Sequence, residues 1–383
     1  WKGTVMAKIM ISAGEASGDV HAAALTREIL KLDPTAQVYG MGGDGLRAAG
    51  GEVLFDIKDH GVMGLVEIIR KLPALFRLRS DFAEVMDKRR PDCLVTIDYP
   101  GFNMRLAKVA RAKGIPVISF IAPSAWAWRK GRAKNVAKLV NKVAAIFPFE
   151  YEVYKEAGAD VEFMGHPLVD IVQPTLPVAE AVAKAGKHEG RPLVLLLPGS
   201  RLQEIQRLLP SMLEAAKIMV KANPALEFVM PRAGTIPRVM LEEEINRAGI
   251  HVSITEGNNY DVMGVADVAL AASGTVTLEA ALCRLPSVIV YKTAPLTAFI
   301  VRRLLNIADI GLPNIVAGRH ILPELLQEDA TPAKMAAEVL HLLEPAAHAQ
   351  ALADLDDVKK RLGEPGAVRR VAELTLRVAG EKA

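Results

Sequence analysis

No stretch of this sequence is long and apolar enough to cross a bilayer. The longest run without a charged side chain extends only from Gly114 to Trp128 and contains two prolines, whereas a spanning helix needs about 20 apolar residues. Cysteine is nearly absent. Cys93 and Cys283 lie far apart in apolar segments, which gives neither a disulfide framework nor metal-ligand spacing and suits a reducing cytoplasm. Charge of one sign is not in excess either. The net charge of +3 provides no general case for a nucleic-acid partner. A secretory leader pattern is missing, and residues 1–5, ahead of Met6, read as an extension outside the fold. Apolar residues are abundant: 51% of 383, enough for two domains with full cores.

Short apolar runs alternate with amphipathic segments throughout. Strands are expected at 8–12, 37–39, 93–97, 116–120, 143–146 and 161–163, then at 193–197, 227–229, 251–254, 268–270 and 287–290. Between the first two, Ala22, Leu25, Ile29 and Leu32 share one helical face. Near-continuous apolar strands separated by helices predict an α/β chain with parallel sheets covered on both sides. The stretch 173–192 breaks this rhythm with Pro174, Pro177 and Pro192. It is read as a linker between two Rossmann-like domains, 6–172 and 193–344, followed by a helical tail, 345–383, that packs back over the junction. Ligands of open parallel sheets bind beyond the carboxyl ends of the strands, so the loops there should hold the chemistry.

The second half carries the anion-binding signals. "LLLPGSRLQEI" places Ser200 and Arg201 between a strand and a helix, where backbone N–H groups favour an anion and a guanidinium adds a fork. "AASGTVTLEAAL" repeats the arrangement with Ser273, Gly274 and Thr275, and Glu279 lies about one turn further on, where it can accept ribose hydroxyls. Helix capping by Ser273 or Thr275 is the competing reading of either loop alone. Together they favour a nucleotide diphosphate.

The first half differs. "SAGEASGD" offers glycines but two acids, Glu15 and Asp19, that would repel phosphate and suit the helix dipole themselves. A neutral sugar is the better guest. The expected acceptor pocket is Gly14, Ser17, Gly42, Asn103, Trp126 and Arg129. Gly40-x-Gly42-x-x-Gly45 matches a dinucleotide fingerprint but follows the second strand, so a tight turn lining a cleft is the preferred meaning. Asp98 ends a strand in "TIDYPGFN" and is the candidate general base, its pKa raised by burial; Glu15 is the second candidate. His21 and His166 also face that side, although a satisfied histidine is the commoner meaning. Trp126 and Trp128 stand beside Arg129, Lys130 and Arg132, where indoles can stack on sugar faces or acyl chains. For a metal there is only Asp354-Leu-Asp356 in the helical tail, better explained as a solvated face, so no metal or other cofactor is expected.

Residues 62–79, "VMGLVEIIRKLPALFRLR", combine large apolar side chains with four cations and one acid. Pro73 is expected to split the segment into two short helices lying in a headgroup layer. The membrane-facing set is Val62, Met63, Leu65, Val66, Ile68, Ile69, Leu72, Leu75 and Phe76. Burial beneath the sheet is the alternative.

The motifs "SAGEASGD", "GMGG", "DYPGFN", "PSAWAW", "GHPLVD", "LPGSR", "ASGTVTLE" and "LPNIVAGR", in this order, resemble those of the lipid-A-disaccharide synthases of Gram-negative bacteria. The resemblance covers nearly the whole chain. It implies a GT-B glycosyltransferase, inverting and metal-independent, with its two parallel sheets facing across a cleft. The implied reaction joins UDP-2,3-diacylglucosamine to 2,3-diacylglucosamine 1-phosphate (lipid X) and releases UDP and the β-1,6-linked disaccharide 1-phosphate. The family's aspartate falls on Asp98, and its UDP positions fall on Ser200, Arg201, Ser273, Gly274, Thr275, Glu279 and Asn314. The implied location is the cytoplasmic face of the inner membrane, held peripherally, with no nucleic-acid partner. A homodimer is compatible with a tail that can pack on its own chain or on a partner's. Two alternatives are a GT-B UDP-sugar 2-epimerase, which needs no acyl-chain surface, and a non-catalytic lipid-binding, membrane-docking protein, which needs no phosphate loops.

Overall fold

Strands as apolar as "KIMISA" and "LVLLL" expose no face that water would tolerate, so they require cover on both sides. The computed structural model, which describes residues 6–60, 65–122, 130–234, 236–292 and 309–381, has two such sheets. The first contains β1 (Lys8–Ala13), β2 (Gln37–Gly42), β3 (Glu52–Asp56), β4 (Cys93–Ile97), β5 (Val117–Phe120), β6 (Lys142–Ala145) and β7 (Val161–Phe163), in the order β3-β2-β1-β4-β5-β6-β7. The second contains β8 (Leu193–Leu197), β9 (Glu227–Pro231), β10 (Ser253–Thr255), β11 (Val268–Ala272), β12 (Ser287–Tyr291) and β13 (Glu324–Leu326), in the order β10-β9-β8-β11-β12-β13. Every pairing is parallel. Both orders reverse direction once, between β1 and β4 and between β8 and β11. Such a switch point opens a crevice beyond the strand ends.

The chain divides into two units, Trp1–Pro167 with Gly363–Ala383, and Leu168–Leu362. The expected linker is therefore part of the second unit. The reason is local: the helix Val178–Ala185 buries Ala181 and Ala185, and the Asp261 carboxylate accepts the N–H groups of Thr175 and Leu176 at 2.6 and 3.0 Å. The tail also differs from expectation, because it is shared. The helix Pro345–Arg361 stays with unit 2, and only Ala367–Gly380 joins unit 1. There its buried face, including Val371, Leu374 and Val378, lies against the helix Ala16–Leu32, and Arg370 Nε donates to the Met164 carbonyl at 2.8 Å.

Two further readings are corrected. Pro73 lies inside one continuous helix, Leu65–Arg89. A mid-helix proline forfeits one backbone hydrogen bond, but Leu78, Phe82 and Met86 follow at helical spacing, all essentially buried in the unit's core, and hold the helix through it. The solvated-face reading of Asp354 and Asp356 fails for Asp354 and holds only for Asp356, whose side chain is 43% exposed. Asp354 is buried against Arg319 and Gln350, and Asp356 pairs with Arg284 at 2.8 Å.

Candidate active site

In unit 1 the switch-point loops follow β1 and β4, which pair as far as Ala13 opposite Ile97. Asp98 and Tyr99 leave β4 with φ of 48° and 49°, in the left-handed region that side chains larger than glycine seldom adopt. Two such residues in succession persist only when their surroundings hold them. Asn103, buried in the helix Pro100–Ala112, does so. Its Nδ2 donates to the carbonyls of Asp98, Ser12 and Ile97 at 2.6, 3.1 and 3.3 Å, and its Oδ1 accepts from Ser12 Oγ at 2.6 Å. Asn103 is thus corrected from a sugar contact to a clamp that ties both strand ends to the turn. Asn103→Ala leaves those carbonyls unmatched; a loss of about 2 kcal/mol in unfolding free energy is expected, with a drop in kcat, checked by chemical denaturation and steady-state rates.

Asp98 itself is half-buried. Burial pushes its pKa above the ordinary carboxylate range, and a hydrogen bond from the Tyr99 N–H opposes the shift in part. The Tyr99 ring lies directly over Gly14, where an added Cβ would come within 2.2 Å of it. Gly14 therefore seats an aromatic ring rather than opening the backbone to a sugar. Ser17 and Glu15 are exposed, and the Glu15 charge, after burial, helps raise the Tyr99 pKa. His21 and His166 are both held neutral by burial, with pKa values lowered to about 4 and about 3. His21 packs edge-on to Phe120, and its Nδ1 finds no hydrogen-bond partner among the described residues.

The acid in the glycine loop has a structural role. Asp19 is buried and accepts three backbone N–H groups, from Gly43 (2.6 Å), Gly45 (2.8 Å) and Leu46 (3.1 Å). These open the short helix Asp44–Ala48. The "GMGGDG" loop is an anion nest, but its anion is the protein's own carboxylate. Gly42 is buried beneath Leu46 and Asp19, so its expected place in a sugar pocket is corrected too. Trp126 and Arg129 lie outside the described residues, as do Val62 and Met63.

In unit 2 the corresponding loops enclose a cavity of about 370 Å³, at the lower end of small-ligand sites. Ser200, Arg201, Ser273, Gly274, Thr275 and Glu279 all line it, with Gly199, Glu204, Pro231 and Asn259. Two helices begin there, Leu202–Ala222 and Thr275–Leu282. The Arg201 side chain makes no capping bond at the first helix, and the N-cap of the second is Gly274, which has no side chain, so neither Ser273 nor Thr275 holds the N-cap position there. Glu279 is half-buried, and burial raises its pKa. Asn314 is the exception. It is fully buried, with Nδ2 donating to the Leu322 carbonyl and Glu324 Oε1 and Oδ1 accepting from the Ile321 and Leu322 N–H groups, at 2.7–2.9 Å. All its valences hold the loop before β13, and it does not line the cavity. Glu204, three residues after Arg201, also lines the cavity; an acid beside anion-binding signals is not a pattern that marks a site in sequence.

Among the described residues, one group could gather a metal ion: Asp309, His320 and Glu324, with ligand atoms within 4.8 Å of one another. Glu324 is already engaged by the N–H groups of Ile310 and Gly311 at 2.9 Å, and none of the three lines the cavity.

Comparisons with known proteins identify the family and the fold. A family model described as lipid-A-disaccharide synthetase matches residues 9–377. The lipid-A-disaccharide synthase of Geobacter sulfurreducens is 43% identical over 376 residues, covering 98% of each chain. That of Myxococcus xanthus is 40% identical over 371 residues, 96% of this chain and 97% of the other. Among solved structures, UDP-GlcNAc 2-epimerase from Neisseria meningitidis bound to UDP-GlcNAc superposes with a TM-score of 0.65 at 14% identity, covering 97% of this chain and all of that one. CalG4, the calicheamicin glycosyltransferase, gives 0.65 at 15%, covering 99% and 100%. The structural likeness establishes the two-domain GT-B fold, and the sequence match along nearly its whole length makes this chain a member of the lipid-A-disaccharide synthase family of glycosyltransferases.

Proposed function

We propose that this glycosyltransferase joins UDP-2,3-diacylglucosamine to 2,3-diacylglucosamine 1-phosphate, releasing UDP and the β-1,6-linked disaccharide 1-phosphate. The observation that carries the reading is the convergence of Ser200, Arg201, Ser273, Gly274, Thr275 and Glu279 on one cavity at two helix N-termini. Backbone N–H groups and the Arg201 guanidinium stabilise the diphosphate as negative charge develops on it, and Glu279 accepts from the ribose hydroxyls. In unit 1, Asp98 takes the proton from the acceptor's 6-hydroxyl as that oxygen attacks the anomeric carbon, through an oxocarbenium-like state. No metal ion is assigned a role, because the leaving diphosphate is matched by a cation and two helix dipoles.

A second part of the proposal is docking on the inner face of the inner membrane, where both acylated substrates reside. Among the described residues no helix is long and apolar enough to cross a membrane. The support is the groove between the helices Leu65–Arg89 and Pro100–Ala112, lined by Phe76, Arg79, Arg105, Lys108 and Lys113. Phe76 is 48% exposed, with the Arg79 and Arg105 guanidinium groups 5.3 and 5.9 Å from its ring centre. An apolar tip ringed by cations suits an anionic lipid surface. Leu75, by contrast, packs partly against the core.

UDP release tests the reading. It is expected only when both acylated sugars are supplied, and it should proceed unchanged in EDTA. Release with the donor alone would favour a hydrolysing epimerase, in which water takes the sugar from UDP, and none under any condition would favour a binding protein; a fall in EDTA would bring in a metal.

A further inference from the structure

Glu204 sits in the phosphate site as an anion of the protein's own. Its Oε1 pairs with Arg201 Nη1 at 3.1 Å, and its Oε2 accepts the Ser200 N–H in a long bond of 3.4 Å. The carboxylate lies so close over the loop that a Cβ on Gly199, whose φ is +115°, would approach Oε2 to 2.6 Å. A diphosphate bound at this helix start needs the same guanidinium and the same backbone donors. Two anions cannot share them without strong repulsion.

Resting on the UDP assignment of this cavity, we propose that Glu204 is a displaceable stand-in for the diphosphate. In the empty site it occupies Arg201 and the Ser200 N–H. When UDP enters, the carboxylate must swing aside. Both of its bonds are weak enough for that: Arg201 is largely exposed, with 77% of its side chain accessible, and exposed ion pairs contribute little, while 3.4 Å is at the long limit of hydrogen bonding. The displaced acid stays within a turn of the helix start, where its charge opposes that of the diphosphate and favours the return of the empty site. Glu204 thereby loosens product UDP and speeds turnover. Its position also explains the local sequence: an acid at the third helical position, reaching back past the N-cap, is the acidic half of a capping box, and only a glycine at position 199 leaves room for it.

Glu204→Gln separates this role from plain capping, because glutamine fills the same capping position without the charge. Calorimetric titration of the full chain with UDP and with uridine, together with steady-state kinetics, decides the matter. The expected result is UDP bound about tenfold more tightly, uridine affinity unchanged, and kcat lowered as release of UDP slows. Unchanged UDP affinity would reduce Glu204 to a capping acid, and weaker UDP binding would make it a support for Arg201; either result overturns the proposal. Parent protein that binds no UDP at all would overturn the cavity's assignment as well, so the two failures are distinguishable.

Discussion

Asp98→Asn is expected to lower turnover by at least about a hundredfold, the scale of general-base loss, with UDP affinity unchanged and the melting temperature equal to or above that of the parent. The last expectation separates a base from a structural residue. Burial raises the Asp98 pKa in the folded protein, so folding favours the protonated carboxyl. The sign of the linkage follows. A carboxyl with a folded pKa above its unfolded one costs stability as pH rises through the interval between them, and at neutral pH its charge remains a burden that asparagine relieves. The turn itself is untouched, because it is held through the Asp98 carbonyl by Asn103. In the parent, kcat/KM should fall toward acid with a pKa above the ordinary carboxylate range, and that limb should vanish from the residual activity of the variant. Rates, calorimetric UDP titration and thermal melts check the three parts. Near-normal turnover would move the base to Glu15, which stands close enough for its charge to act on Tyr99.

The central strands were legible because a fully buried parallel strand is an apolar run, and β1, β4, β8 and β11 are such runs. The strands absent from the sequence reading are edges. β3, "EVLFD", is only half-buried, and β13, "ELL", is three residues long, so neither leaves a period to detect. Arg201 and Ser273 to Glu279 could be placed because a strand–loop–helix junction fixes where backbone donors point. The two asparagines could not. In sequence, Asn103 and Asn314 are polar residues in loops beside a site, which is how a ligand contact also reads. Only the folded chain reveals that their carboxamides are spent on carbonyls and N–H groups up to 91 residues away. Glu15 and Asp19, four residues apart, pose the same problem with charge: one ends up exposed and the other buried.

Asp19→Ala is expected to destabilise unit 1 by about 3 kcal/mol or more, since three backbone donors lose the carboxylate they share and each unmatched buried donor costs about 1–3 kcal/mol. For a domain of this size that lowers the melting temperature of the unit by roughly 6–12 °C. The sequence around the acid is built for this contact. A Cβ at Gly43 or Gly45 would come within 2.9 or 2.7 Å of Asp19 Oδ2, so Gly45, the last glycine of the fingerprint-like run, and Gly43 inside it let the backbone close around a carboxylate. Asp19→Asn, which keeps one acceptor and loses the charge, should fall between parent and alanine. Because the cavity proposed to hold UDP belongs wholly to unit 2, UDP titration of the alanine variant below its melting point should match the parent. A variant that melts like the parent yet binds UDP poorly would place the diphosphate at the first loop. The acids that ought to repel it would then be its neighbours, and the division of labour between a base-bearing unit 1 and a nucleotide-bearing unit 2 would fail at its foundation.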